Sequence, residues 1–443
     1  HLHQRIYLTR RVAWAKITSM NVNISKLISS GLGVILSAFF GIALSKLISI
    51  QSGPEALGEF GIYRQFIQVV IVFLSFGNGF SLIEGLAKTT QVEKFLKQSL
   101  HYYLGVTLFI SILIFVFNKS LALFILDDLS KSELLRFSPI IFICATIYLY
   151  YRFALSGIKE VFRSSLAQAF PFFFMFLFYF VEKRVHFLFI YSYGASVLLS
   201  ALVSQKKIQF FFSNFFQFER NIFFEKTSIS TLITGVTGFG TLLVIKVLVN
   251  RNLGIESTGM MEASLNLAIY ASMVFLNGFS IYYLPTLSTN PEDYTFMRRY
   301  LVLIATLSGI TTIILSVGSQ YIIPLFYSHE FDESITLLKW FALGEFIKCM
   351  NWFFIFTFIA ISHKKLYTLI DVFSNLCFVA VTYYFLSNNY NLKGVGYSYV
   401  IFQFIYLILS TTLFPRKEEF GHKYLILPII LSLVFILISI YIL

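Results

Sequence analysis

Runs of about 20 mainly apolar residues, the length that crosses a bilayer as a helix, recur along the whole chain between short polar turns. They fall at 25–50, 60–87, 100–118, 137–158, 164–181, 185–204, 228–250, 259–286, 299–323, 335–361, 365–386, 394–414 and 425–443. The pattern predicts twelve spanning helices and a thirteenth apolar segment running to the last residue.

The apolar segments carry an internal echo. Asn78-Gly79-Phe80-Ser81 returns as Asn277-Gly278-Phe279-Ser280. Lys46 and Lys246 each sit late in a span, and a short polar turn follows each: Gln51-Ser52-Gly53-Pro54-Glu55, then Asn250-Arg251-Asn252-Leu253-Gly254. An offset of about 200 residues divides the chain into two similar halves, the build of many secondary transporters. Six helices per half is an even number, so both halves enter the membrane in the same direction. The expected architecture is an all-α polytopic membrane protein of two six-helix lobes related by a parallel pseudo-repeat. Residues 1–23 are a basic cytoplasmic extension, 24–204 the first lobe, 205–227 a cytoplasmic linker, 228–414 the second lobe, and 415–443 a turn with the thirteenth apolar helix. The linker is basic and aromatic (Phe210, Phe211, Phe212, Phe215, Phe216) and reads as an amphipathic strip on the inner leaflet, with a plain loop as the competing reading.

Composition agrees. The chain is 57% hydrophobic and only 13% charged, with mean hydropathy +0.77, against roughly 25% charged residues in soluble domains. The net charge of +12 does not indicate nucleic acid as a partner, because the cations flank apolar segments and form no continuous stripe. With the N-terminus placed in the cytoplasm, Lys/Arg on the inner segments outnumber those outside by about three to one, which sets the orientation. Cys144, Cys349 and Cys377 lie in apolar runs without paired spacing and read as isolated buried thiols. The first 20 residues have no apolar core and so do not resemble a cleavable signal; Met20 is a candidate natural start.

Charges inside the spans carry the functional reading, since each costs roughly 2.5–3.5 kcal/mol at the bilayer centre. Lys46, Arg64, Lys246 and Glu262 lie on spans one, two, seven and eight, which are therefore expected to border a shared polar space. At 100° per residue, Arg64, Gln68, Ser75 and Asn78 share about 80° of one helix face, and Glu262, Asn266, Tyr270, Met273 and Asn277 share a similar arc. For each asparagine the alternative is an interhelical hydrogen bond, and for Lys46 and Lys246 it is snorkelling to the outer interface. Ser29, Gly33, Ser37, Gly41 and Ser45 repeat every fourth residue of span one, as close helix packing requires. Arg152 is either a cavity cation or an interfacial anchor. Glu345 and Lys348, three apart, read as a structural ion pair, with Glu345 a candidate proton-coupling carboxylate beside Glu262. Asp371 is expected to pair locally near Lys364 and Lys365. Cations exceed acids at the expected cavity, and phosphate or pyrophosphate is the natural anionic partner.

Catalytic signatures are missing. No Gly-x-x-x-x-Gly-Lys-Ser/Thr loop occurs, so the chain is not expected to hydrolyse ATP. His101, His186, His329, His363 and His422 are scattered and read as surface residues. No cofactor is expected. The longest outer connection, 118–136, is too short for the catalytic loop that a glycan polymerase or ligase would carry.

Several stretches resemble a family. Gly53-Pro54, then Leu57-Gly58, then Tyr63-Arg64-Gln65 is similar to the helix 1–2 signature of Wzx-type polysaccharide flippases, especially the branch that moves the enterobacterial common antigen lipid intermediate. Ile322-Ile323-Pro324-Leu325-Phe326-Tyr327, leading to Trp340 and to Gly344-Glu345 with Lys348, resembles the family's helix 9–10 region. Asn391-Leu392-Lys393-Gly394-Val395-Gly396 resembles its helix 11–12 turn. The resemblance covers helices 1 to 12, within the MOP exporter superfamily of drug/sodium antiporters (the MATE-like fold) and lipid II flippases. It implies a V-shaped pair of lobes around a cationic cavity in the bacterial inner membrane. It implies alternating access moving an undecaprenyl-pyrophosphate-linked oligosaccharide from the inner to the outer leaflet for surface polysaccharide synthesis. Membrane lipids and other polysaccharide assembly proteins are the further partners. Onto this sequence the resemblance carries Arg64, Lys46 and Lys246 as cavity cations. The segment after Arg416 departs from the twelve-helix pattern and leaves open a further helix pair. An ion-coupled antiporter of small molecules or drugs is the alternative and would need acidic residues in the cavity, for which Glu262 and Glu345 are the candidates.

Overall fold

A computed structural model describes residues 24–75, 79, 82–83, 86, 91–204, 226–279, 283–361, 363–415 and 417–442. Among the described residues there is no strand, as expected where each helix must satisfy its own backbone in lipid. The first continuous helix, Ile24–Leu74, is broken at Gly53 (φ 73°, ψ −171°). The break follows from Pro54, which disfavours helical geometry in the residue before it, and only glycine adopts that backbone region freely. The two arms are α1 (24–52) and α2 (54–74). The remaining long helices are α3 (Val92–Val116), α4 (Ser132–Gly157), α5 (Val161–Phe178), α6 (Val185–Val203), α7 (Lys226–Leu253), α8 (Ile255–Gly278), α9 (Tyr294–Phe326), α10 (Glu333–Ala360), α11 (Lys364–Ser387), α12 (Asn391–Thr412) and α13 (His422–Ile442). Among the described residues, ten helical stretches are long and apolar enough to cross a membrane, the first being the joined pair α1–α2.

Helix packing repeats with a period of six. In the first lobe α1 packs on α5, α3 on α4, α4 on α6 and α5 on α6. In the second, α7 packs on α11, α9 on α10, α10 on α12 and α11 on α12. This is the two-lobed pseudo-repeat read from the sequence. The small-residue stripe of α1 acts as expected: the Gly33 amide donates to Ser165 Oγ (3.0 Å) and Ser37 Oγ donates to the Gln168 carbonyl (3.1 Å), so α1 lies directly against α5. Lipid-facing surfaces are apolar, with Leu108, Phe109 and Ile112 of α3 and Ile313, Ile314 and Val317 of α9 exposed. The α13 helix packs on α10 and α12, with the Phe346 and Phe435 rings 4.6 Å apart. Its start is pinned by Arg298, which donates to the carbonyls of Phe420 (2.8 Å) and Glu419 (2.6 Å).

Three expectations change. The second helix begins at Pro54 rather than at 60, and its described part ends near 75, because the Gly53 turn is only one residue long. His186 is buried, stacked on Phe137 at 5.3 Å with 7° between the rings, and is not a surface residue. The rings of Phe137 and Phe187 close over it. Asp371 makes no described ion pair with Lys364 or Lys365; its Oδ2 is buried without a described hydrogen-bond partner. The linker strip at 205–225 lies outside the described residues.

The lobes meet where α2 packs on α7 and α8. The α2–α8 contact is backbone against backbone: a Cβ added at Gly58 would strike the Ile255 carbonyl, and one at Gly259 the Pro54 carbonyl. Gly259→Val is expected to destabilise the purified protein by about 1–3 kcal/mol through overpacking. Gly238→Ala, which faces open space, should leave the thermal melt unchanged or slightly raised.

Candidate functional site

Arg64 lies about 15 Å along α2 from its start at Pro54, and Glu262 about 10 Å along α8 from Ile255, at 1.5 Å per residue. The two starts sit side by side, so these groups meet well inside the protein. Arg64 Nη2 lies 2.5 Å from Glu262 Oε1. Lys246 Nζ of α7 lies 2.6 Å from Glu262 Oε2. Asn266, one turn on from Glu262, accepts from Arg64 Nη2 (2.7 Å) and donates to Glu262 Oε1 (3.1 Å). Lys246 Nζ also donates to the Gly61 carbonyl (3.1 Å) and to Gln65 Oε1 (3.3 Å), and Gln65 Nε2 donates to the Phe239 carbonyl (2.9 Å). A Cβ at Gly61 would sit 2.6 Å from Glu262 Cδ, so glycine there makes room for the carboxylate.

All three charges are buried: Arg64 is 8% exposed, Lys246 1% and Glu262 0%. Two cations share one carboxylate, leaving a surplus of one positive charge in a site that water does not reach. Arg64 Nε is buried without a described partner, and Nη1 reaches Tyr270 Oη only at 3.5 Å. Burying ions costs several kcal/mol each unless pairing is close to complete. This cluster is paired internally but not neutral.

The rim at the same end adds cations on helix C-termini, where the helix dipole favours positive charge. Lys46 Nζ donates to the Leu325 carbonyl at the end of α9 (2.9 Å), tying the first lobe to the second. Reciprocally, Arg251 Nη2 donates to the Phe124 carbonyl (2.9 Å) and Asn250 Nδ2 to the Leu126 carbonyl (3.2 Å), both in the short helix Asn118–Leu126. Lys46 therefore belongs to the rim rather than to the buried cluster.

The other candidates lie apart. Arg152 Nη2 donates to Gln168 Oε1 (2.8 Å) between α4 and α5, wholly within the first lobe. Glu345 is buried in the second lobe, accepting from Ser272 Oγ, Tyr399 Oη and Lys348 Nζ, the last at 2.9 Å. The expected Glu345–Lys348 pair is present. Gln68 is half-buried on α2 and makes no hydrogen bond to another described residue. Asn78 lies outside the described residues, and Asn277 ends α8 with its side chain outside them. Gly79 has φ 71°, and Phe279, just beyond α8, is buried and stacked on Phe356 at 5.5 Å.

Gln65 enters the sequence reading only as part of the Tyr63-Arg64-Gln65 signature and not as a site residue. It follows Arg64 by one residue and so points about 100° away, off the polar stripe; Arg64 faces α8 while Gln65 faces α7. Its adjacency to a buried arginine was the available signal.

No family model matches the chain, and no curated protein matches its sequence. Solved structures do match in shape. The lipid II flippase MurJ in an inward closed conformation aligns at TM-score 0.69 and 16% identity, covering 95% of this chain and 98% of that one. An inward-facing multidrug resistance MATE family transporter of the MOP superfamily aligns at 0.66 and 13%, covering 87% and 94%. An outward-facing MATE transporter of the same superfamily aligns at 0.56 and 13%, covering 89% and 95%. The chain shares its fold with these transporters. In this fold the Arg64–Glu262–Lys246 cluster lies at the seam between the lobes.

Glu262→Gln leaves two buried cations without a counter-ion and is expected to cost about 3–5 kcal/mol in thermal unfolding of the detergent-solubilised protein. Neutralising rim Arg251, which is more exposed, should cost at most about 1 kcal/mol.

Proposed function

We propose that the chain is a flippase that moves an undecaprenyl-pyrophosphate-linked oligosaccharide from the inner to the outer leaflet of the bacterial inner membrane by alternating access. The observation that carries this reading is the uncompensated positive charge buried between the lobes, with an arginine donor left over. Phosphate oxygens match a guanidinium edge in both geometry and charge. Arg64 is the principal phosphate ligand, Lys246 adds charge beside it, and Asn266 orients the guanidinium. Arg152 is a second cation for the passing headgroup, engaged by the neutral side chains of Gln168 and Tyr148 and by no described carboxylate. Lys46 acts at the rim. The lobes are 24–204 and 228–414, joined by the cytoplasmic linker 205–227, with residues 1–23 cytoplasmic. The sealed end, where the Gly53 turn and residues 250–254 lie, is then the outer side.

The MOP fold serves both a lipid flippase and multidrug exporters among its solved structures, so an ion-coupled antiporter is the alternative. It would need a carboxylate free to take up a proton or a cationic drug. Glu262 is held by two cations and Glu345 by a cation and two hydroxyls, which favours the anionic substrate.

In a strain that depends on this chain for surface glycan export, Arg64→Ala is expected to abolish export while membrane insertion persists. Unimpaired export would remove Arg64 from the binding site. Increased drug resistance on expression, without glycan export, would favour the antiporter.

A further inference from the structure

The three charges of the seam are divided unequally between the lobes. Arg64 belongs to the first lobe; Glu262, Lys246 and Asn266 all belong to the second. The Arg64–Glu262 pair and the Lys246 bonds to Gly61 and Gln65 cross the seam, whereas Lys246–Glu262 and Asn266–Glu262 do not. If the lobes part at this end, the second lobe keeps a neutral Lys246–Glu262 pair, already held by Asn266. The first lobe is left with a bare arginine. Separation therefore costs nothing in charge balance on one side and exposes one full positive charge on the other.

We infer that Glu262 is an exchangeable counter-ion: it latches the two lobes through Arg64 when the seam is closed, and a diphosphate takes its place on Arg64 when the seam opens. The handover rests on the flippase reading above and assigns that reading a regulator. A ligand shifts a conformational equilibrium only by its differential affinity for the two states. The differential exists here because Arg64 is committed to Glu262 in the closed seam and free in the open one. An empty transporter stays closed at this end, since opening strands Arg64 without an anion. A loaded one opens, because the diphosphate replaces the lost carboxylate. The unpartnered Arg64 Nε and the long Tyr270 contact are spare donor capacity that phosphate oxygens take up as the seam opens and Glu262 lets go. The rim bonds from Lys46 and Arg251 end on neutral carbonyls and add closure without selecting an anion.

The test is a distance measurement across the seam by double electron–electron resonance on the full chain in nanodiscs. Spin labels are carried at Leu123→Cys and Asn252→Cys, with Cys144, Cys349 and Cys377 replaced by alanine. Both label positions are exposed and lie on opposite lobes at the sealed end. The probes are farnesyl diphosphate, inorganic pyrophosphate and farnesol, which separate the lipid-borne diphosphate from the free ion and from the isoprenoid tail. The unliganded wild type should give one short distance. Glu262→Gln should shift the short-to-long ratio by about tenfold or more without ligand, since two cations then face each other in the closed seam. Farnesyl diphosphate should lengthen the distance in the wild type and farnesol should not; Arg64→Gln, which itself lacks the latch, should show the same distribution with either as without ligand. If Glu262→Gln does not yield folded protein, Glu262→Asp, one methylene short of both cations, should give a smaller lengthening of the same sign.

A Glu262→Gln distribution that superimposes on the wild type overturns the latch. Wild type and Arg64→Gln opening equally with farnesyl diphosphate would retain the flippase reading and overturn the handover. An opened Glu262→Gln together with a wild type unresponsive to both diphosphates would overturn the diphosphate reading and the handover with it. A response to pyrophosphate equal to that to farnesyl diphosphate supports the handover and assigns it to the phosphates alone.

Discussion

One carboxylate, Glu262, holds the seam on which the two-lobed arrangement depends. It binds a cation from each of two neighbouring helices, one in each lobe, and does so where no water compensates an error. Everything around it is shaped by that demand. Gly61 gives up its side chain so that the carboxylate fits, and Gly58 and Gly259 let the helix backbones touch so that Arg64 can reach. Asn266 fixes the orientation of both partners at once. A buried ion pair is weak support for stability in general, because desolvation offsets most of the attraction. A buried cluster that is also one charge short of neutrality is therefore better explained by a partner that arrives than by the fold alone.

Much of this was legible in one dimension, and the reason is physical. Charges in a hydrocarbon segment are costly, so Arg64, Lys246 and Glu262 stood out without any structure. The 3.6-residue period then placed Asn266 and Tyr270 on the Glu262 face. The two-lobed repeat followed from the even helix count and the recurring lysine-and-turn layout. What could not be read was pairing. Nothing in the sequence shows that Glu262 pairs with both Arg64 and Lys246, or that Lys46 lies out on the rim while its repeat partner Lys246 lies at the centre. Symmetry of position misled there. The lysines are equivalent in the repeat, but the first half has no acid corresponding to Glu262: positions 61 to 63 are Gly61, Ile62 and Tyr63.

The same asymmetry bears on how the fold works. In a pseudo-symmetric pair of lobes, equal charges on both sides would repel or pair identically in every state. Here one lobe carries a self-neutralising pair and the other a lone arginine, so the electrostatic balance of the seam differs between closed and open. The rim reproduces the repeat more faithfully, with each lobe placing a cation on a helix C-terminus of the other. Symmetric straps at the edge and an asymmetric lock at the centre are two separate layers of closure, and in the proposed mechanism only the central one distinguishes an anion.

The most direct test of the claim that Glu262 and Arg64 form the joint is a double-mutant cycle on unfolding stability with Arg64→Gln, Glu262→Gln and the pair combined. A shared, charge-balanced interaction predicts that Glu262→Gln is the most damaging single change and that adding Arg64→Gln recovers stability, with a coupling of about 1–3 kcal/mol. Effects that simply add, leaving the double variant as unstable as the sum of the two, would contradict the account.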